Sequence, residues 1–378
     1  TAVPSELELS ETAEPVTVGA TEECAWETST VLKEEEFARA LSLALFDYMR
    51  KSYSRGFVLS LSGGADSATV AVLVKLMIDF AVKEIGLSGL AHRLRHCFEG
   101  SVPETPKKLV GELLWCVYQT TRNSSEITRD AAESIAHAIG ARFYELNVDG
   151  VVEEYKSLVS GVLQRKLTWD RDDLALQNIQ ARGRAPSVWM LANIKRGLLL
   201  ATSNRSEAAV GYTTMDGDTC GGISPIAGID KAFLREWLHW LEITGPEGGE
   251  PISELRKVNA QQPTAELRPP EENQTDESDL MPYEILDLIE RLAIRDKMMP
   301  SEVLRVLQQH ELIASYQADR RQVIDWIKRF FQLWSRNQWK RERFAPSFHV
   351  DDENLDPKTW CRFPILSGGF RRELDALE

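Results

Sequence analysis

The stretch Phe57-Val58-Leu59-Ser60-Leu61-Ser62-Gly63-Gly64-Ala65-Asp66-Ser67 decides how the rest of this 378-residue sequence is read. Its first part is a short apolar run, the signature of a strand buried in a parallel sheet. The run breaks at Gly63-Gly64, and a helix begins near Asp66. Two glycines let the backbone approach an anion closely. The hydroxyls of Ser62 and Ser67, with the free N–H groups of a helix start, supply donors for a phosphate. A carboxylate repels a phosphate, so Asp66 has a use there only if a cation such as Mg²⁺ bridges the two. Two common phosphate loops are excluded, because the sequence holds no GxxxxGK[ST] and no GxGxxG after a strand.

Outward from this stretch, strands and helices alternate. Apolar spacing predicts a helix over 34–51, strands over 57–62, 113–120, 142–148 and 198–202, and helices over 127–140, 174–193 and near Ser206. Pro186 is expected to kink or restart the long helix. This rhythm implies a parallel sheet with crossover helices. After Gly245 it stops: 245–280 reads as loop, 282–344 as helix, and the sequence from Pro346 as irregular. Residues 1–30 carry seven glutamates and no Lys or Arg, which reads as an acidic tail or linker. The expected organisation is therefore that tail, an α/β unit over 31–280 and a helical extension over 281–378. The chain opens on Thr1, as a processed chain or a piece of a longer one would.

Composition narrows the function. Lys plus Arg number 44 against 58 Asp plus Glu, a net charge of −14 that argues against nucleic acid spread over the whole surface. No apolar run reaches the ~20 residues that span a bilayer. Five scattered cysteines, none in CxxC, fit a reducing cytoplasm. His92, His96 and Cys97 mimic metal-ligand spacing but lack a fourth ligand nearby, so an ordinary helix or loop is expected. Arg320 to Arg343 mixes basic residues with aromatics, yet Trp326, Phe330 and Trp334 recur every fourth residue and so form one helix face, expected to be core or interface. Together with Trp339 they raise the expectation of a homo-oligomer, at least a dimer.

The motif Ser62-Gly63-Gly64-Ala65-Asp66-Ser67 resembles the pyrophosphate-binding loop of the ATP-pyrophosphatases, which cleave ATP between its α and β phosphates. That superfamily includes GMP synthetase, asparagine synthetase, tRNA-thiolating enzymes and NAD synthetase. Gln177 to Arg184 resembles the NIxAR segment of NAD synthetases, and Thr202 to Thr214 is similar to their strand-to-helix segment. Gly217-Asp218, Gly221-Gly222, Pro225-Ile226, Lys231, Pro263 to Leu267 and Gln274-Thr275-Asp276-Glu277 complete the series in order. The likeness runs from about Glu34 to Glu290.

The resemblance implies a doubly wound, Rossmann-like parallel sheet of the adenine nucleotide alpha hydrolase type with a helical C-terminal extension. It also implies that the nicotinate carboxylate of deamido-NAD attacks ATP, releasing pyrophosphate, and that ammonia then displaces AMP. On that likeness Ser62, Gly63, Gly64, Ser67, Lys231 and Thr264 hold phosphates, and Arg184 and Thr202 belong to the ATP site. Asp66 and Glu207 hold Mg²⁺, so that Asp66, Lys231 and Asp218 are the catalytic set. Asn178, Arg182 and Asp218 match positions for deamido-NAD or the attacking ammonia, and Asp218 is the expected acceptor of the ammonium proton. Met215-Asp216 depart from the Leu-Tyr common in the family before Gly-Asp. Many NAD synthetases carry an N-terminal nitrilase-like glutaminase domain. Here no convincing glutaminase set is found, so ammonia is expected free or from a glutaminase domain or chain outside this sequence.

Overall fold

A computed structural model describes residues 24–100, 103–262, 267–268, 275–364 and 366–377. Helix α1 (Leu32–Lys51) leads into β1 (Phe57–Ser60), and α2 (Ala65–Arg93) returns along the sheet. Then follow α3 (Pro106–Leu113), β2 (Leu114–Thr120), α4 (Glu126–Ile139), β3 (Arg142–Asn147), α5 (Asp149–Leu163), α6 (Trp169–Lys195), β4 (Leu198–Leu200), α7 (Arg205–Val210) and α8 (Lys231–Ile243). The sheet has the order β3-β2-β1-β4 and is parallel throughout, with Phe57 level with Leu114 on one side and Leu198 on the other. Winding proceeds outward from β1 to β3, then jumps back across β1 to β4. That reversal is the switch point of a doubly wound sheet, where a crevice opens outside the carboxyl ends of the strands.

The core explains why these residues make these elements. Phe57, Val58 and Leu59 are buried on both sheet faces, as an apolar run without alternation requires. From Ala68 to Val74 every residue of α2 is buried, so this helix is clamped between the sheet and α1. Gly86, at φ +68°, interrupts α2 in a conformation that costs most residues a Cβ clash. Pro186 does not break α6, which runs on to Lys195. Pro186 is exposed, on the solvent side of the helix. Among its described residues, the expected loop over 245–280 contains the short α-helices α9 (Arg256–Asn259) and α10 (Asp276–Asp279), the first preceded by a 3-10 turn at Ser253–Leu255.

Beyond them lie α11 (Tyr283–Glu290), α12 (Pro300–Leu307), α13 (Glu311–Ser315) and α14 (Arg320–Arg336). Their apolar faces form a second core that also takes in Ala208, Ala209 and Val210 of α7. Trp326, Phe330, Phe331 and Trp334 are all buried in it, each worth roughly 1.5–3 kcal/mol of apolar burial. The aromatic face of α14 is thus consumed inside the chain and supplies no reason for self-association; Trp339, 49% exposed, stands apart from it. His96 Nε2 lies 3.1 Å from the Ser54 carbonyl beside the buried Cys97, and among the described residues no three His, Cys, Asp or Glu side chains are grouped to hold a metal ion.

Candidate active site

A cleft of about 540 Å³ opens at the carboxyl ends of β1, β2 and β4. Its floor is the turn from β1 into α2. Gly63 adopts φ +85°, and a Cβ there would stand 2.1 Å from the Thr128 carbonyl oxygen of α4. That position needs glycine for both conformation and space. Gly64, the residue before α2, has an ordinary extended conformation and room for a Cβ, so its glycine is not required by the fold. Ser67 is buried and its hydroxyl accepts the Ser62 N–H at 3.2 Å while donating to the Gly64 carbonyl at 3.1 Å. The Ser62 hydroxyl is 3.1 Å from that of Ser67 and accepts the Gly64 N–H at 3.3 Å. The loop is therefore held by its own two serines, with Ser62 exposed to the cleft. Gly63→Ala is expected to lower stability by about 1–3 kcal/mol through backbone strain and loop displacement, read as an earlier urea midpoint.

Two strand ends meet over this floor. Asn204, buried after β4, caps α7 by accepting the Glu207 N–H at 2.9 Å and donates to Asp66 at 3.1 Å. Helix α8 begins at Lys231, whose N–H donates to Ser206 at 2.8 Å, and Asp230 caps the helix by accepting the Phe233 N–H at 2.7 Å. Lys231 is 3% exposed, and its ammonium is bonded to Asp66 and to Glu207, the latter at 3.2 Å. A lysine in the first turn opposes the helix dipole; here the two carboxylates offset it. Burial, with help from Asp66 and Asp276, lifts the Glu207 carboxyl to about 8 against the pull of Lys231. For Lys231 burial works downward, but Asp66, Glu207 and Asp276 outweigh it and hold the ammonium well above its ordinary range. It stays charged.

The other predicted residues fall into two groups. Arg184, Thr202 and Asp218 line the same cleft. The Asp218 carboxylate accepts the Thr214 N–H at 2.8 Å. Crowding by protein atoms moves its carboxyl upward, opposed by that N–H and by Arg184, Lys340 and Arg182. The side chain is nonetheless exposed to the cleft, so solvent screening keeps the energetic effect small. Asn178 and Arg182 lie outside the cleft lining. Each instead holds the loop before Asp218: Asn178 accepts from the Thr214 hydroxyl at 2.9 Å, and Arg182 donates to the Met215 carbonyl at 3.0 Å. Asp216, with φ +61°, pairs with Arg343 at 3.3 Å. Thr264 lies outside the described residues.

Sequence reasoning passed over several residues of the cleft. Asp276, 5% exposed, accepts from the Tyr283 hydroxyl at 3.2 Å through Oδ2, while its buried Oδ1 has no partner among the described residues. It belongs to the Gln274-Thr275-Asp276-Glu277 motif. Gln119 of β2 accepts from Ser60 at 2.9 Å and donates to the Arg184 carbonyl at 2.6 Å, tying the sheet to α6 beside the cleft. Arg205 is 1% exposed and pairs with Glu290, Asp230, Asp351 and Glu353.

Residues 37–342 match the family model described as NAD synthase. The chain belongs to the NAD synthase family. It is 34% identical over 340 residues to a glutamine-dependent NAD(+) synthetase of Oryza sativa subsp. indica, covering 84% of this chain and 45% of that protein. With the Homo sapiens protein of the same name the identity is 32%, over 88% of this chain and 49% of the relative. The crystal structure of a glutamine-dependent NAD(+) synthetase from Cytophaga hutchinsonii superposes with a TM-score of 0.79 at 47% identity, covering 92% of this chain and 56% of that one. This NAD synthase chain thus spans about half the length of the relatives it matches.

Proposed function

We propose that the chain amidates deamido-NAD to NAD at the expense of ATP, releasing AMP and pyrophosphate, with ammonia as the nitrogen donor. The observation that carries this is the buried Lys231, bonded to Asp66 and Glu207 above the Gly63 turn at the sheet's switch point. A site that only bound a nucleotide would have no need of that much opposed charge. In the forward step the nicotinate carboxylate forms a bond to the α-phosphorus as the bond to pyrophosphate breaks. The loop from Ser62 to Ser67 and the Lys231 ammonium take up the charge leaving on pyrophosphate. Arg184 and Thr202 orient the ATP. Ammonia then attacks the mixed anhydride, the C–O bond to AMP breaks, and Asp218 takes the proton that ammonium must shed. Asn178 and Arg182 act by setting the Thr214-to-Asp218 loop against the dinucleotide.

Asp66 and Glu207 offer hard oxygen donors, and the unpartnered Asp276 Oδ1 beside them marks a cluster short of positive charge. That donor chemistry suits Mg²⁺, which is commonly held by one or two carboxylates plus substrate phosphates. When bound, Mg²⁺ supplies charge neutralisation on the phosphates.

The deciding assay supplies ATP, Mg²⁺ and ammonium with a set of acid acceptors and measures AMP and pyrophosphate. Release with deamido-NAD alone supports the reading; release with another acid and not with deamido-NAD overturns it. With ammonium the rate should rise from about pH 7 to 9 as free ammonia increases, and glutamine should add little. Efficient turnover on glutamine by this chain would overturn the expectation that it holds no glutaminase.

We also propose self-association, on grounds other than the aromatics of α14. On α5 the side chains of Val151, Tyr155, Leu158, Val159, Val162 and Leu163 are exposed, Val162 at 84%, and share one apolar stripe at helical spacing. Trp189, Met190 and Ile194 of the adjoining α6 are exposed as well. A second copy of the chain is the proposed partner of this face. Light scattering at micromolar concentration should give at least a dimer, and Val162→Glu should shift it towards monomer. A monomeric unaltered chain would refute the proposal.

A further inference from the structure

Three carboxylates in the cleft, Asp66, Glu207 and Asp276, face one ammonium, Lys231. The lysine is bonded to the first two, and its Nζ stands 5.6 Å from the centre of the Tyr283 ring. The hydroxyl at the far end of that ring donates to Asp276 Oδ2 at 3.2 Å. Asp276 is 5% exposed, lines the cleft, and keeps Oδ1 buried without a partner among the described residues. An ionisable oxygen buried and unbonded is costly and rare in a settled structure. It has a reason where the site has a second arrangement that satisfies it.

We propose that Lys231 is a resident counter-ion for the divalent-cation position at Asp66 and Glu207, and that Asp276 receives its ammonium on Oδ1 when the cation enters. The inference rests on the proposed function only for the idea that a divalent cation arrives there with nucleotide phosphates. A divalent cation and an ammonium repel strongly at one pair of carboxylates, so entry of the first must move the second. A lysine suits this duty, since its compact charge sits on a flexible stem and donates to whatever acceptor is near. Among the described residues no three acidic or imidazole side chains are placed to bind a metal together. On this proposal Asp276 is a positioning residue that acts through Lys231, not a third ligand. Tyr283 fixes the aspartate by its other oxygen and offers the lysine a ring face to pass over. In the cation-loaded state the ammonium would remain in the cleft, available to the phosphates, rather than swinging out to solvent.

The test uses Mn²⁺ alone, with no nucleotide, and reads its binding to the full chain by the EPR signal of the free ion. Lys231→Gln should tighten Mn²⁺ binding about tenfold by removing the competitor. Asp276→Asn should weaken it about tenfold when Lys231 is present, and far less in the Lys231→Gln background; coupling of that order is ordinary for linked sites. Equal weakening in both backgrounds would show that Asp276 is only a distant negative charge, and no tightening in Lys231→Gln would show that the lysine does not compete. If Lys231→Gln does not fold, the comparison falls on Asp279→Asn, which removes a neighbouring charge that accepts from the Tyr212 hydroxyl at 2.9 Å. Weakening by Asp276→Asn but not by Asp279→Asn supports the proposal, and equal weakening overturns it. Because the readout contains no ATP, deamido-NAD or ammonia, its failure leaves the proposed reaction untouched, and failure of that reaction leaves this result standing.

Discussion

Asp66→Asn and Glu207→Gln are each expected to lower Mg²⁺-dependent turnover by about 10²–10³ while the chain still folds. The loss follows from the leaving group. On the proposed reaction, pyrophosphate departs only if its growing charge is met, and each carboxylate would help to keep a cation where that charge develops. Folding should survive because burial already disfavours the charged form of Glu207, whose carboxyl is lifted to about 8. A neutral amide of the same shape can still accept from the Lys231 ammonium through its oxygen. Asp66 is half-exposed to the cleft and keeps Asn204 as a neighbour, so its amide also has a partner. The check is a pair of measurements on each variant, AMP release under saturating Mg²⁺ and a thermal melt. Rates near those of the unaltered chain in both variants would remove the cation assignment. Lost rates with a collapsed melt would show that the carboxylates serve the fold instead.

The legible part of the sequence was the part governed by local rules. An apolar run followed by Gly63-Gly64 announces a buried strand and a tight turn, because only one backbone shape suits that order, and φ +85° at Gly63 is that shape. Four parallel strands and the site at their carboxyl ends follow from the same rhythm. Helix α8 begins where Asp230 caps it, three residues before the N–H it accepts. Its first residue, Lys231, opposes the helix dipole, and the carboxylates brought in from α2 and α7 offset that. Asn178 and Arg182 share a helix face, as their spacing says, but spacing does not reveal that both serve the loop before Asp218 rather than the cleft itself. Asp276 and Arg205 were opaque for a different reason. Their meaning is a sum of charges contributed by distant segments, and a linear string does not show which segments meet.

Arg205 gives the largest expected effect on stability. Its guanidinium, 1% exposed, donates to the Gly228 carbonyl at 2.8 Å and pairs with Glu353 at 2.6 Å, Glu290 at 3.1 Å, and Asp230 and Asp351 at 3.2 Å. Those carboxylates come from the start of α8, from α11 and from the segment beyond Pro346, so one side chain joins the cleft to the C-terminal extension. Arg205→Met leaves Glu290, 2% exposed, without its cation, while Glu353 keeps Arg291 and Arg295, a loss of about 3–5 kcal/mol for a broken buried pair. The defect should depend on pH, with a sign that Glu290 sets. Burial lifts its carboxyl to about 7, against the pull of Arg205 and aided by Glu353 and Asp230. A folded value above the unfolded one means that protonation favours the fold, so this contribution is complete below the unfolded value near 4.5 and is lost as pH rises through about 7. Without Arg205 the carboxyl is pushed higher still, and the cost of ionising it grows. The variant should therefore melt well below the unaltered chain at pH 8 and recover part of the gap at pH 5.5. A gap that is the same at both values would mean that the lost hydrogen bonds, and not the uncompensated charge, carry the effect.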